Sequence, residues 1–204
     1  MPIKVIIPTK HTPGVFMSAN TIKDVYIIEP KTFGDGRGYF METFNKNDLV
    51  EKGIINTDQE FIQDNESESS YGVIRGMHLQ MPPYNQAKIV RVVNGKVLDV
   101  IVDVRPWSKT FGQYVAVELS DENKRQLYVP HYFAHGFAVL SQKARFLYKV
   151  DAPYNKQSEF GISYNDKQIG INWQALTGIP AEKIITSEKD RVANTLKDLA
   201  QRLR

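Results

Sequence analysis

Lys88-Ile89-Val90-Arg91-Val92-Val93-Asn94-Gly95-Lys96-Val97-Leu98-Asp99-Val100-Ile101-Val102-Asp103 is the stretch from which the fold is read. Two runs rich in β-branched residues flank Asn-Gly, the dipeptide that favours a two-residue type I′ turn. The pattern predicts a hairpin in which Val93 opposes Lys96 and Val90 opposes Asp99. Lys88, Val90 and Val92 then share a face with Val97, Asp99 and Ile101. A face that mixes a lysine and an aspartate with valines is poor core material. It is suitable lining for a polar cavity.

Similar short strand patterns lie on both sides, at residues 25–28, 39–44, 114–119, 126–129, 136–140 and 144–150. Residues 121–125 form a charged turn, and Asn47 to Glu51 is the one helical pattern before the C-terminus. Turn signals recur roughly every ten residues, which predicts an all-β sandwich or barrel. We read a double-stranded jelly-roll barrel around a ligand cavity, with a short C-terminal helical segment. There Val192, Leu196, Leu199 and Leu203 recur at helical spacing, predicting an amphipathic helix that packs across the barrel. Ser187-Glu188-Lys189-Asp190 resembles its capping box. Residues 1–24, with three prolines and little periodicity, read as an arm that either wanders or pairs with another part of an assembly. Residues 25–204 read as a single domain.

The 204 residues suffice for one domain with a substantial core. A net charge of +3, spread without basic runs, argues against a nucleic-acid or membrane partner and fits a small anionic ligand. The chain has no cysteine, which excludes a disulfide framework, a thiolate nucleophile and sulfur-bound zinc. No stretch approaches the ~20 apolar residues of a membrane span. The Val5-Ile6-Ile7 run is too short for a signal sequence and is cut by Pro8. Cytoplasmic residence is the expectation.

The chemistry gathers in Gly72-Val73-Ile74-Arg75-Gly76-Met77-His78-Leu79-Gln80 and in Lys88 beyond it. A nearly neutral imidazole can take a proton, and an ammonium can hold the charge left on an adjacent oxygen. In a regular strand Arg75 and His78 point to opposite faces; a bulge at Gly76 would turn both inward. His78 reads equally as a core histidine, and Lys88 as the partner of Asp99 in an ion pair. Tyr148, on a strand, is either a core tyrosine or an acid. Asp190 is either a helix-capping residue or a support for the His78 imidazole. His78 and His135 together suggest the cupin metal site. That site usually takes three histidines and a glutamate, two of the histidines being one residue apart. Here Gln80 occupies the position two after His78, and His11 and His131 sit in no such spacing, so no metal is expected.

Taken in order, several segments resemble the dTDP-4-dehydrorhamnose 3,5-epimerases. They are Phe33-Gly34-Asp35-Gly36-Arg37-Gly38, Gln63-Asp64-Asn65, Gly72 to His78, Gln86-Ala87-Lys88, Thr110-Phe111-Gly112-Gln113, Phe133-Ala134-His135-Gly136-Phe137, Asn165-Asp166 and Ser187-Glu188-Lys189-Asp190. The likeness runs from about Val25 to Asp190. It implies a metal-free cupin barrel that works as a homodimer without cofactor. On the matching positions, His78 would be the catalytic base, Asp190 its partner, Tyr148 the opposing acid and Lys88 the group that stabilises an enolate. Arg37, Glu42, Gln63, Asp64, Asn65, Arg75, His135, Glu159 and Lys189 match positions that contact the nucleotide sugar, and Tyr154 matches a further cavity tyrosine. Tyr132 stands where the family commonly has glycine, Tyr164 replaces a frequent tryptophan, and Pro82-Pro83 stiffens the loop after the base. Competing readings are an epimerase for a GDP- or CDP-linked 4-keto sugar, a single-centre epimerase, a metal-dependent cupin and a non-catalytic sugar-binding cupin.

Overall fold

The computed structural model describes residues 3–203, and its strands form two six-stranded antiparallel sheets stacked face to face. Strands and helices are numbered in chain order. The first sheet runs, in spatial order, β1 (Ile3–Ile6), β3 (Tyr26–Pro30), β11 (Gln126–Val129), β8 (Lys88–Asn94), β13 (Lys143–Val150) and β6 (Gln63–Ser70). The second runs β14 (Glu159–Gly161), β7 (Ile74–Gln80), β12 (Phe133–Val139), β9 (Lys96–Asp103), β10 (Tyr114–Ser120) and β2 (Val15–Met17). A separate hairpin joins β4 (Thr32–Asp35) to β5 (Gly38–Met41), and four short helices follow, α1 (Lys46–Glu51), α2 (Trp173–Thr177), α3 (Glu188–Arg191) and α4 (Leu196–Arg202). This is the jelly roll expected from the strand pattern.

Three apolar layers hold it. Val90, Val92 and Leu127 of the first sheet meet Val97, Ile101, Val117 and Phe137 of the second between the sheets. Leu98, Val100 and Val102, on the other face of β9, pack outward against Trp173 of α2 and Leu196 and Leu199 of α4. Ile89 and Tyr128 of the first sheet are covered by Leu49 of α1 with Ile54 and Ile55. With both faces covered, β9 carries a nearly continuous apolar run rather than an alternating one. Each fully buried leucine contributes about 2 kcal/mol through the area it removes from water.

Four sequence expectations need correction. The strands flanking Asn94-Gly95 do not pair with each other. β8 pairs with β11 and β13, whereas β9 pairs with β10 and β12 in the opposite sheet. Gly95 has the positive φ that the dipeptide promises, +81°, but the turn is a corner between sheets. A Cβ on Gly95 would stand 2.1 Å from the Lys143 carbonyl oxygen, so the chain turns here against the 140s loop. Lys88 and Asp99 nevertheless face the same interior, because the two strands confront each other across the sandwich.

The C-terminal pattern is broken rather than continuous. Asn194 donates its backbone N–H to the Gly161 carbonyl and accepts from Ser163 N–H, which interrupts the helix between α3 and α4. Val192 is left exposed, while Leu196 and Leu199 are fully buried. The true capping box belongs to α4, between Thr195 and Asp198. The N-terminal arm pairs within its own chain, β1 on β3 and β2 on β10; its first two residues lie outside the described ones. Finally, α2, capped by the Asn172 side chain and closed by left-handed Gly178, was missed in a stretch without apolar periodicity.

Candidate active site

The site is made where β7 crosses β12. His78 stands opposite His135 and Arg75 opposite Phe137, so one residue of β12 faces two of β7 between these pairs. That is the bulge expected at Gly76, whose φ is +104°. A Cβ on Gly76 would lie 2.5 Å from the His135 carbonyl oxygen, and one on Gly136 would lie 2.5 Å from the Arg75 carbonyl oxygen. The facing glycines let the strands approach, and the extra residue turns Arg75 and His78 into the same cavity. Gly76→Ala is expected to cost about 2–4 kcal/mol of stability through this clash and the left-handed backbone. Urea unfolding measures it; a variant as stable as the parent would contradict the bulge account.

The cavity holds about 460 Å³ between the sheets. Arg75 and His78 from β7, Lys88 from β8, His135 from β12, Tyr148 from β13, and Lys189 and Asp190 from α3 line it. Phe137 and Phe146 supply apolar wall. Phe146 escaped the sequence reading, although period-two alternation from Tyr148 points to it.

His78 Nε2–H donates to Asp190 Oδ1 at 2.6 Å. Asp190 is buried, and burial raises its carboxyl pKa, yet the hydrogen bonds from His78, Ser187 and the Gly76 backbone outweigh this and hold it below the ordinary value. The Ser187 side chain accepts from Asp190 N–H at 3.1 Å, so Ser187 is the N-cap of α3. The Asp190 side chain does not complete a capping box; it goes to His78 instead. The hydrogen bond assigns the proton to Nε2 and leaves Nδ1 of His78 as the basic nitrogen. Asp190→Asn is expected to lower turnover about 10²–10⁴-fold by disturbing this tautomer. A reduced melting temperature with unchanged turnover would leave Asp190 a structural role alone.

The Lys88 side chain makes no hydrogen bond or ion pair among the described residues, and its ammonium lies 5.9 Å from the centre of the Tyr148 ring. Burial pulls its pKa down to about 8, against the opposing pull of Asp99 and Glu159. The direct Lys88–Asp99 ion pair considered from sequence is not formed. Asp99 instead accepts from His135 Nε2 at 2.9 Å. Burial raises the Tyr148 phenol above its usual pKa, so it is protonated at neutral pH. His135 is pushed below the usual imidazole value by burial, against Asp99, and is neutral there.

The remaining sites divide into two groups. Glu159 receives Lys189 at 2.5 Å and the Tyr154 hydroxyl at 3.0 Å, a chain of polar groups that includes the cavity-lining Lys189. Arg75 is fixed by its Nε–H to Ser69 Oγ at 2.9 Å. Gln63 and Asn65 share a face of β6 with Ser67, which lines the cavity, and bond each other through Gln63 Nε2 and Asn65 Oδ1 at 2.8 Å. Three others are not brought to the cavity. Arg37 folds onto Asp35 at the exposed hairpin tip, Glu42 accepts from Asn45 beside α1, and Asp64, on the other face of β6, pairs with Lys149. Among the described residues no group of three or more metal-ligating side chains is placed to hold an ion. Gln80 spends its amide on the Tyr84 and Pro153 carbonyls.

Residues 19–198 match the sequence profile of dTDP-4-dehydrorhamnose 3,5-epimerase. The chain belongs to that family. It is 51% identical over 168 residues to dTDP-4-dehydrorhamnose 3,5-epimerase of Shigella flexneri, covering 82% of this chain and 92% of the relative. A crystal structure of dTDP-6-deoxy-D-glucose-3,5-epimerase from Legionella pneumophila, in complex with dTDP-4-keto-L-rhamnose, is 43% identical with a TM-score of 0.83 over 93% of this chain and 96% of that one. A 3′-monoepimerase from Streptomyces bikiniensis, in complex with dTDP-quinovose, is 30% identical with a TM-score of 0.78, over 89% of this chain and 88% of that one. Against the epimerase family pattern, Tyr132 occupies a backbone with φ +60°, which explains why glycine is common there. Its ring packs edge-on against exposed Trp107 at 5.1 Å.

Proposed function

We propose that this chain is an isomerase that inverts C3 and C5 of dTDP-4-dehydro-6-deoxy-D-glucose, giving dTDP-4-dehydro-L-rhamnose. One observation carries the reading: a carboxylate-held imidazole, an ammonium and a phenol line a single cavity between the sheets. A ketone at C4 acidifies the hydrogens on both neighbouring carbons, because either anion delocalises onto the C4 oxygen. His78 takes the proton from one face through Nδ1. Lys88 stabilises the enolate oxygen. Tyr148 gives a proton to the opposite face and inverts the centre. Each inversion adds a proton to His78 and removes one from Tyr148, so both exchange with water before the second. The substrate carries its own electron sink, and the reaction asks for no cofactor.

Arg75, His135, Glu159, Lys189 and Tyr154 are assigned to the nucleotide-sugar contacts on the cavity side, with Gln63 and Asn65 on β6. Arg37, Glu42 and Asp64 contribute in a homodimer, in which the β4–β5 hairpin meets the second copy. Its support is the exposure of Phe33, Tyr39 and Phe40 on that hairpin, aromatic surface that a lone chain leaves in water. The same reading places the enzyme in the cytoplasm.

The likeness to a 3′-monoepimerase keeps a single-centre reaction as the second reading. A panel of dTDP-, GDP- and CDP-linked 4-keto sugars, followed by NMR of the products, separates the two. Fastest turnover of the dTDP substrate with both centres inverted supports the proposal. Inversion of one centre, or preference for another nucleotide, overturns that part of it.

A further inference from the structure

Asp99, on β9, is fully buried and stands behind the cavity wall rather than in it. Its Oδ2 takes the His135 Nε2–H, while Oδ1 has no hydrogen-bond partner among the described residues. A buried carboxylate with an unsatisfied oxygen is costly unless a cation stands near. His135, held neutral by burial, does not supply that charge. Lys88 shares the inward face of β8 with Val90 and Val92, and Asp99 that of β9 with Val97 and Ile101, so Lys88 is the cation that faces Asp99 across the sandwich, where the carboxylate favours its charged form.

The other charged or titratable groups around this point are committed elsewhere. On β7, Arg75 is bonded to Ser69 Oγ and the Glu68 carbonyl, and His78 to Asp190 of α3. Glu159 of β14 is taken by Lys189 of α3 and by the Tyr154 hydroxyl. Tyr148 of β13 is neutral. Asp99 is thus the carboxylate around this point whose charge no other cation of the described residues consumes.

We propose that Asp99 is a positioning residue for the isomerisation, supplying the buried counter-charge that keeps the Lys88 ammonium in the cavity while it fixes the His135 ring. This rests on the reading of Lys88 as the group that stabilises the enolate. An ammonium in a cavity that Phe137, Phe146 and Tyr148 also line would otherwise be neutralised by burial. Neutral Lys88 gives the enolate oxygen far less stabilisation. Asp99 touches neither substrate nor reacting atoms; it acts through Lys88.

The test is the near-isosteric Asp99→Asn in the full chain. The parent is expected to lose activity as pH rises through about 8, where Lys88 gives up its proton. In Asp99→Asn the alkaline limb of kcat is expected to move down by about one pH unit, so that turnover at pH 8 falls about fivefold and largely recovers at pH 6. An amide oxygen at this position can still accept from His135 Nε2–H, so the affinity for dTDP alone is expected to change little. A loss uniform across pH, with a lower melting temperature, would show a merely structural role and overturn the proposal.

Should Asp99→Asn not fold, a stability cycle decides from the other side. Lys88→Met leaves the carboxylate without its cation and destabilises the protein, and adding Asp99→Asn restores part of that loss. A double variant no more stable than Lys88→Met alone would overturn the pairing, whether or not Asp99→Asn folds by itself. This cycle needs no turnover, so it stands apart from the assignment of substrate. Coupling in the cycle without a shifted pH limb would remove Lys88 from enolate chemistry.

Discussion

Replacing His78 by alanine is expected to stop solvent deuterium from entering the sugar at both C3 and C5. The imidazole is the basic group that Asp190 holds against the cavity, through a 2.6 Å bond that leaves Nδ1 free to accept. Among the described residues no second base is similarly placed. His135 spends Nε2 on Asp99, and the Glu159 carboxylate is drawn to Lys189 and Tyr154. General-base catalysis by a positioned side chain is worth about 10²–10⁴-fold, so exchange and turnover should fall at least that far together. NMR of the recovered sugar nucleotide in deuterated water measures it. Continued deuterium entry at either carbon would mean that another group takes that proton.

Tyr148→Phe separates the two halves of the reaction. The phenol is raised in pKa by burial and so keeps its proton for delivery. On the proposed roles, His78 should still abstract without the hydroxyl and Lys88 should still hold the enolate. The proton returns from His78 on the face it left. Deuterium entry should therefore stay measurable while net inversion falls about 10²-fold or more. Equal loss of exchange and inversion would remove Tyr148 from the opposite face. The ring itself is retained, so its packing on Phe146, 6.2 Å between centroids, is preserved and stability should change little.

The strands were legible because β-branched residues alternate with turn residues, a signal written locally. Which strand pairs with which is not local. Asn94-Gly95 announces a reversal with positive φ, but hydrogen bonds from β8 and β9 to partners distant in sequence decide that the reversal crosses between sheets. Leu196 and Leu199 were legible as a buried helical stripe. Val192 fits the same spacing and misleads, since the break at Asn194 comes from a contact with Gly161 made by folding. In the site, the Gly76 bulge could be anticipated because a regular strand separates Arg75 from His78. The service of Asp190 to His78 spans 112 residues and appears only in three dimensions. Arg37, Glu42 and Asp64 came from family resemblance alone, and a single chain does not bring them to the cavity.

The most direct measurement is one turnover experiment on the unaltered enzyme. With dTDP-4-dehydro-6-deoxy-D-glucose in deuterated water, NMR should find one deuterium at C3 and one at C5 in a product of L configuration. An inverted product carrying protium at either of those carbons would contradict proton exchange through His78 and Tyr148.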